Sequence, residues 1–93
     1  IATGGYTSAL TPWQQRRVIP IGSYIIATED LGAGARELIP KGRVVTDTRR
    51  VVVYYRLSPD GRRLLFGGRV SLKEKNPRSC VPRLYRQMLT IFP

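Results

Sequence analysis

Two short stretches of this 93-residue chain carry residue types at a spacing that could do chemistry. Ala2-Thr3-Gly4-Gly5 is the first. A strand ending in Ala-Thr-Gly lets backbone amides approach a phosphate or the edge of a cofactor, because glycine removes the Cβ in the way. The same tetrapeptide also makes an ordinary turn. Tyr54-Tyr55-Arg56 and Arg69 form the second stretch. An arginine delivered by Gly67-Gly68 at the end of a strand can clamp a carboxylate through two parallel hydrogen bonds. Tyrosines on the same sheet can wall a flat pocket or hydrogen-bond a substrate. The plainer alternative is that the tyrosines pack and the arginines are solvated.

Composition removes other chemistries. There is no histidine, and Cys80 is the single cysteine. Imidazole acid–base or triad chemistry is absent from this segment, and zinc lacks its usual ligand set. An intramolecular disulfide is impossible, so a reducing, cytoplasmic compartment is expected, with Cys80 a small buried or half-buried residue at a helix start. Neither the P-loop nor the G-x-G-x-x-G fingerprint occurs, so nothing here binds a dinucleotide by itself. No apolar run approaches the ~20 residues of a membrane span. The net charge of +10 (16 basic against 6 acidic residues) invites nucleic acid. Its distribution argues against that partner, because the arginines stand in ones and twos at element ends and turns. A solvated surface, or a surface facing the acidic remainder of a larger protein, fits the scatter better.

Tyr54, Tyr55 and Arg69 need a hairpin to position them. Val51 to Leu57 is β-branched and aromatic, and Leu64 to Phe66 is short and apolar. Ser58-Pro59-Asp60-Gly61 between them has the chemistry of a type I turn followed by a left-handed residue. With Ser58 and Arg62 closing the turn, Tyr54 faces Phe66 and Arg56 faces Leu64. Val53, Tyr55, Leu65 and Arg69 then take the other side. A bulge at the glycine pair would bring Arg69 to the Tyr54 side, and the two facings stay open.

The flanking segments supply the rest. Ile1 to Tyr6 reads as a strand end. Thr11 caps a short helix with Pro12 at its first position and Gln14 completing a capping box, and Trp13 packs it down. Val18 to Thr28 is extended and apolar on both faces, so cover on both sides is expected. Glu29-Asp30 opens a second helix carrying Leu31, Ala35, Leu38 and Ile39 on one face, stopped by Pro40. Val44-Val45 forms a short strand, and Lys73 to Pro77 a loop. Ser79 caps the last helix, with Val81, Leu84, Tyr85, Met88, Leu89 and Phe92 at helical spacing. Tyr24 and Tyr85 are expected in the core. The order predicts an α+β fold: an antiparallel sheet with helices packed on one face.

A resemblance sharpens this reading. Ile1-Ala-Thr-Gly-Gly-Tyr-Thr, Leu10-Thr-Pro and Arg17-Val-Ile-Pro-Ile-Gly-Ser-Tyr-Ile-Ile-Ala-Thr-Glu29 resemble the central part of FAD-dependent amine and amino-acid oxidases. These are the D-amino-acid oxidase-like family, which includes glycine and sarcosine oxidases. The Tyr54 to Arg69 stretch and Pro82-Arg-Leu-Tyr-Arg-Gln-Met-Leu look most like its gamma-glutamylputrescine oxidase branch. The resemblance implies residues 1–6 as the end of an FAD-binding domain and 7–93 as part of a substrate-binding domain. It matches Thr3, Gly4 and Gly5 to the cofactor side, and Tyr54, Tyr55 and Arg69 to the substrate cavity. The implied reaction is oxidation of a CH–NH bond in an amine or amino acid, with FAD as cofactor and neither nucleic acid nor membrane as partner. The family's N-terminal Gly-rich turn and C-terminal segment are both missing. The chain therefore reads as a piece that holds no FAD and turns over no substrate alone, and that self-associates to cover an exposed sheet edge. A basic nucleic-acid-binding module and a stand-alone interaction domain are the alternatives.

Overall fold

The computed structural model describes residues 10–19, 21–48, 52–71 and 76–93. Thr3, Gly4, Gly5 and the expected boundary after residue 6 lie outside them. In chain order the elements are helix α1 (Pro12–Gln15), strand β1 (Gly22–Ala27), a 3-10 turn (Gly32–Gly34) and helix α2 (Ala35–Leu38). Strands β2 (Val45–Thr46), β3 (Val53–Leu57) and β4 (Leu64–Ser71) and helix α3 (Pro77–Leu89) follow. The four strands form one sheet in the order β1-β4-β3-β2, and each neighbouring pair is antiparallel. With α3 lying against β4 and β1, the fold is α+β as the sequence predicts.

The hairpin forms where expected, but it closes one residue later. Gly61 N–H donates to the Ser58 carbonyl at 2.8 Å, which makes the turn around Pro59 and Asp60, and Gly61 takes φ 71°. The ladder then resumes with Ser58 N–H donating to the Arg63 carbonyl at 2.9 Å, not with Arg62. Local and tertiary bonds favour this together: within the turn, Asp60 Oδ1 accepts from Arg62 N–H at 3.1 Å and Ser58 Oγ from Arg63 N–H at 3.0 Å. The Arg62 carbonyl accepts from Leu31 N–H at 2.8 Å, and its Nε donates to both Asp30 carboxylate oxygens at 3.0 and 2.8 Å. Arg62 thus leaves the ladder to bind the segment that follows β1.

That one-residue shift reverses the expected pairing, because side chains alternate faces with period two. Tyr55 now stands opposite Phe66, and Tyr54 opposite Gly67. The inner face, under α3, holds Val53, Leu64 and Phe66, which pack with Ile39, Leu84 and Met88. Tyr24, Ile26, Tyr55 and Leu57 border this core on the same face, as do Ile91 and Phe92 after the helix. Gly68 belongs here too: a Cβ on it would meet Leu84 Cδ2 at 3.3 Å, so the missing side chain is what lets α3 sit down on β4.

Several local expectations change. α3 starts a turn earlier than a Ser79 cap would place it. Asn76 Oδ1 accepts from Arg78 N–H at 3.0 Å and Pro77 takes the first helical position, leaving Pro82 inside the helix. Ser79 instead lies in the first turn, its hydroxyl donating to the Asn76 carbonyl at 2.7 Å. Of the helix's apolar residues, Cys80, Leu84 and Met88 are buried, whereas Tyr85 is 51% exposed and so lies outside the core. The sheet is too narrow to cover the flank that also carries Val81 and Leu89. Trp13 is 69% exposed and does not hold α1 down; the Arg17 guanidinium lies 4.1 Å from its ring centroid instead. The second helix shrinks to a 3-10 turn and one α turn, in keeping with the cost of Gly32 and Gly34 in a helix.

The tip of the hairpin makes stability depend on acid. Hydrogen bonding by Arg62 holds the Asp30 carboxyl below its ordinary value of 3.8. The Ser58 hydroxyl, followed by Arg62 N–H, does the same for Asp60. A carboxylate with a depressed folded pKa contributes stability that is present above its unfolded value and lost as pH falls through the folded one. Lowering the pH from 6 through and below about 4 is therefore expected to lower the urea midpoint. Asp30→Asn should reduce that pH-dependent part, and an unchanged pH profile in this variant would remove the Asp30–Arg62 pair from the account.

Candidate functional site

The face of the sheet turned away from α3 is the one left open. Ser23, Ile25 and Ala27 of β1, Leu65, Gly67 and Arg69 of β4, Tyr54 and Arg56 of β3, and Thr46 of β2 share it by register. Ile25 is 61% exposed, so the expected cover on both sides of β1 is not present among the described residues.

Tyr54 dominates this face. Its ring lies flat over Gly67: a Cβ there would come within 2.2 Å of Tyr54 Cε2. The phenol oxygen reaches across β4 to share a 2.8 Å hydrogen bond with Ser23 Oγ on β1. The chain needs glycine at 67 so that an aromatic side chain can cross a whole strand and be tied at its far end. The space beside each of the two glycines is thus filled from within the chain. Tyr54 takes the space at Gly67 on one face and Leu84 the space at Gly68 on the other.

Arg69 is exposed and stands opposite Ser23 in the ladder. It reaches the Tyr54 side without a bulge at the glycine pair, since the β3–β4 register is unbroken. The irregularity falls later, where the β1 register shifts between Gly22 and Ser23. Arg56 pairs with Leu65, so Arg56 and Arg69 flank Tyr54 along the strands, roughly 14 Å apart by four residues of strand rise.

The third predicted substrate residue lies elsewhere. Tyr55 points to the inner face, stacked on Phe66 (centroids 6.0 Å, 9° between planes) and edge-on to Phe92 at 5.2 Å. The structure therefore brings Tyr54 and Arg69 to one surface and separates Tyr55 from them by the thickness of the sheet. Ser23 was not legible as a site residue. Alternation along Ser23-Tyr24-Ile25-Ile26 marks its face, but only the β1–β4 pairing puts it beside Tyr54. No group of His, Cys, Asp or Glu capable of holding a metal ion occurs among the described residues.

Known proteins give this geometry a context. Over all 93 residues the chain is 45% identical to a protein named probable oxidoreductase OrdL from Rhizobium meliloti (strain 1021). The chain matches a segment of oxidoreductases. It is 37% identical over 83 residues to gamma-glutamylputrescine oxidoreductase of Escherichia coli (strain K12). It is also 40% identical over 79 residues to a probable oxidoreductase OrdL of Haemophilus influenzae (strain ATCC 51907 / DSM 11121 / KW20 / Rd). These alignments take in 100%, 88% and 84% of this chain but 21%, 19% and 17% of the relatives, about a fifth of their length. No family model and no solved structure matches the chain. Among the described residues no helix is long and apolar enough to cross a membrane.

Proposed function

We propose that this chain is part of the substrate-binding domain of an FAD-dependent oxidoreductase acting on the C–N bond of an amine or amino acid. The open sheet face, with Tyr54 fastened over Gly67 and Arg69 beside it, forms one wall of the substrate cavity. The observation that carries the reading is the separation of the two faces. One face is sealed by α3 and the aromatic core. The other presents an immobilised phenol, apolar Ile25 and Leu65, and two arginines with no core to pack against. The name of the Escherichia coli relative supports an amine substrate.

The roles divide by chemistry. FAD, held by the longer polypeptide with Thr3, Gly4 and Gly5 on its cofactor side, supplies the electron acceptor. The residues of this wall bind and orient. Tyr54 limits where the amine-bearing carbon can lie, and Arg69 fixes a carboxylate or polar tail through its planar donor fork. Tyr55 acts from behind, holding β3 against Phe66 and Phe92. A reducing, cytoplasmic location fits a single cysteine that is buried.

The test is Arg69→Ala in the longer protein, purified with its flavin spectrum recorded beside its kinetics. The expected result is a KM raised, or kcat/KM lowered, by about tenfold or more with the flavin band intact. No change in either constant would remove Arg69 from the substrate site. A longer protein without flavin would overturn the whole reading.

A further inference from the structure

At the β2 edge of the sheet, the segment joining α2 to β2 and the tip of the hairpin enclose a cleft of about 550 Å³. Ile39, Val44, Leu57 and Pro59 supply the apolar part of its lining, its floor, beside Ser58 and backbone. Among the described residues three cations, Arg36, Lys41 and Arg56, line it with no acidic residue. They arrive from three places: α2, the turn after it, and β3. The Arg36 guanidinium lies along the turn, its Nε 3.2 Å from where a Cβ on Gly61 would be.

The charges are unbalanced in a particular way. On the other side of the same hairpin tip, Arg62 is matched to Asp30 and Asp60 is held by Ser58. None of the Arg36, Lys41 and Arg56 side chains makes a hydrogen bond or ion pair with a described residue. Three exposed like charges lining one cleft make its potential positive and favour entry of a counter-charge. Guanidinium groups present planar forks suited to the oxygens of a doubly charged anion, and the floor offers contact to an attached hydrophobic body.

We propose that this cleft is a binding site for a small organic dianion, a phosphate or dicarboxylate group carried on a compact apolar body. The cleft shares Arg56 with the open sheet face and lies at the end of that face away from Arg69; its test does not depend on the redox reading.

The test uses the 93-residue chain, labelled with ¹⁵N and titrated with phenyl phosphate at constant ionic strength, with inorganic phosphate as the comparison. Saturable amide shifts are expected at Arg36, Lys41, Val44, Leu57 and Gly61. Inorganic phosphate should bind about tenfold more weakly, because it leaves the apolar floor uncovered. Arg56→Gln combined with Lys41→Gln should weaken phenyl phosphate by about tenfold or more, whereas Arg78→Gln on α3 should leave it unchanged. The amide spectrum of each variant reports directly that it is folded. Shifts that do not saturate, that spread over arginines outside the cleft, or that survive the double substitution would each overturn the proposal.

Discussion

Phe66→Ala is expected to cost about 3–5 kcal/mol of stability, the range for emptying a large aromatic site in a core. Phe66 is fully buried. It sits midway along β4, opposite Tyr55 on one neighbour and Ile26 on the other, under the helix that supplies Leu84 and Met88. No small movement fills the space, because the ring is held between two paired strands and a helix. Tyr55, stacked on the Phe66 ring, would lose that face of contact as well. A domain this small has a total stability on the order of 5–15 kcal/mol, so the variant should be largely or wholly unfolded at modest urea concentration. Urea unfolding followed by circular dichroism measures it. A loss under about 1 kcal/mol would mean that Phe66 is not on the core face, and the pairing of Tyr54 with Phe66 would be restored.

The second large effect concerns the open face, and its sign depends on the neighbour. Gly67→Ala should destabilise the chain by about 1–3 kcal/mol, because the new methyl collides with the Tyr54 ring and forces it off β4, breaking its bond to Ser23. In a Tyr54→Ala background the same substitution should be neutral or stabilising, since glycine in a strand interior is otherwise unfavourable. The double-mutant cycle therefore predicts a coupling of about 1 kcal/mol or more between two residues on neighbouring strands. Additive effects would show that the ring does not rest on Gly67. In the longer protein the pair has a functional counterpart. If Tyr54 bounds the substrate cavity, Gly67→Ala should alter KM even though residue 67 has no side chain to offer a ligand.

How much of this was readable beforehand varies with the range of the interactions involved. The hairpin turn was legible because its signals are local: Pro59 presets φ, Asp60 bonds nearby backbone, and Gly61 accepts the left-handed conformation. The apolar seam of α3 was legible as a period, though not its width, because what buries Leu84 and leaves Tyr85 half in solvent is the breadth of the sheet beneath. Trp13 lies outside the core for a related reason. Capping and facial patterns say a helix can start, but its length and docking depend on whether a packed surface is there to receive it.

The chain's own sequence determined the α+β class and the position of the hairpin. Both rest on residue type, periodicity and contacts within a few positions. Tertiary structure decided which tyrosine of the hairpin faces the core. The contacts of Arg62 with Leu31 and Asp30 join positions about thirty residues apart, and with the local bonds of Ser58 and Asp60 they set the hairpin register one residue on. In a structure whose side chains alternate with period two, that single step puts Tyr55 in the core and leaves Tyr54 and Arg69 together on the open face.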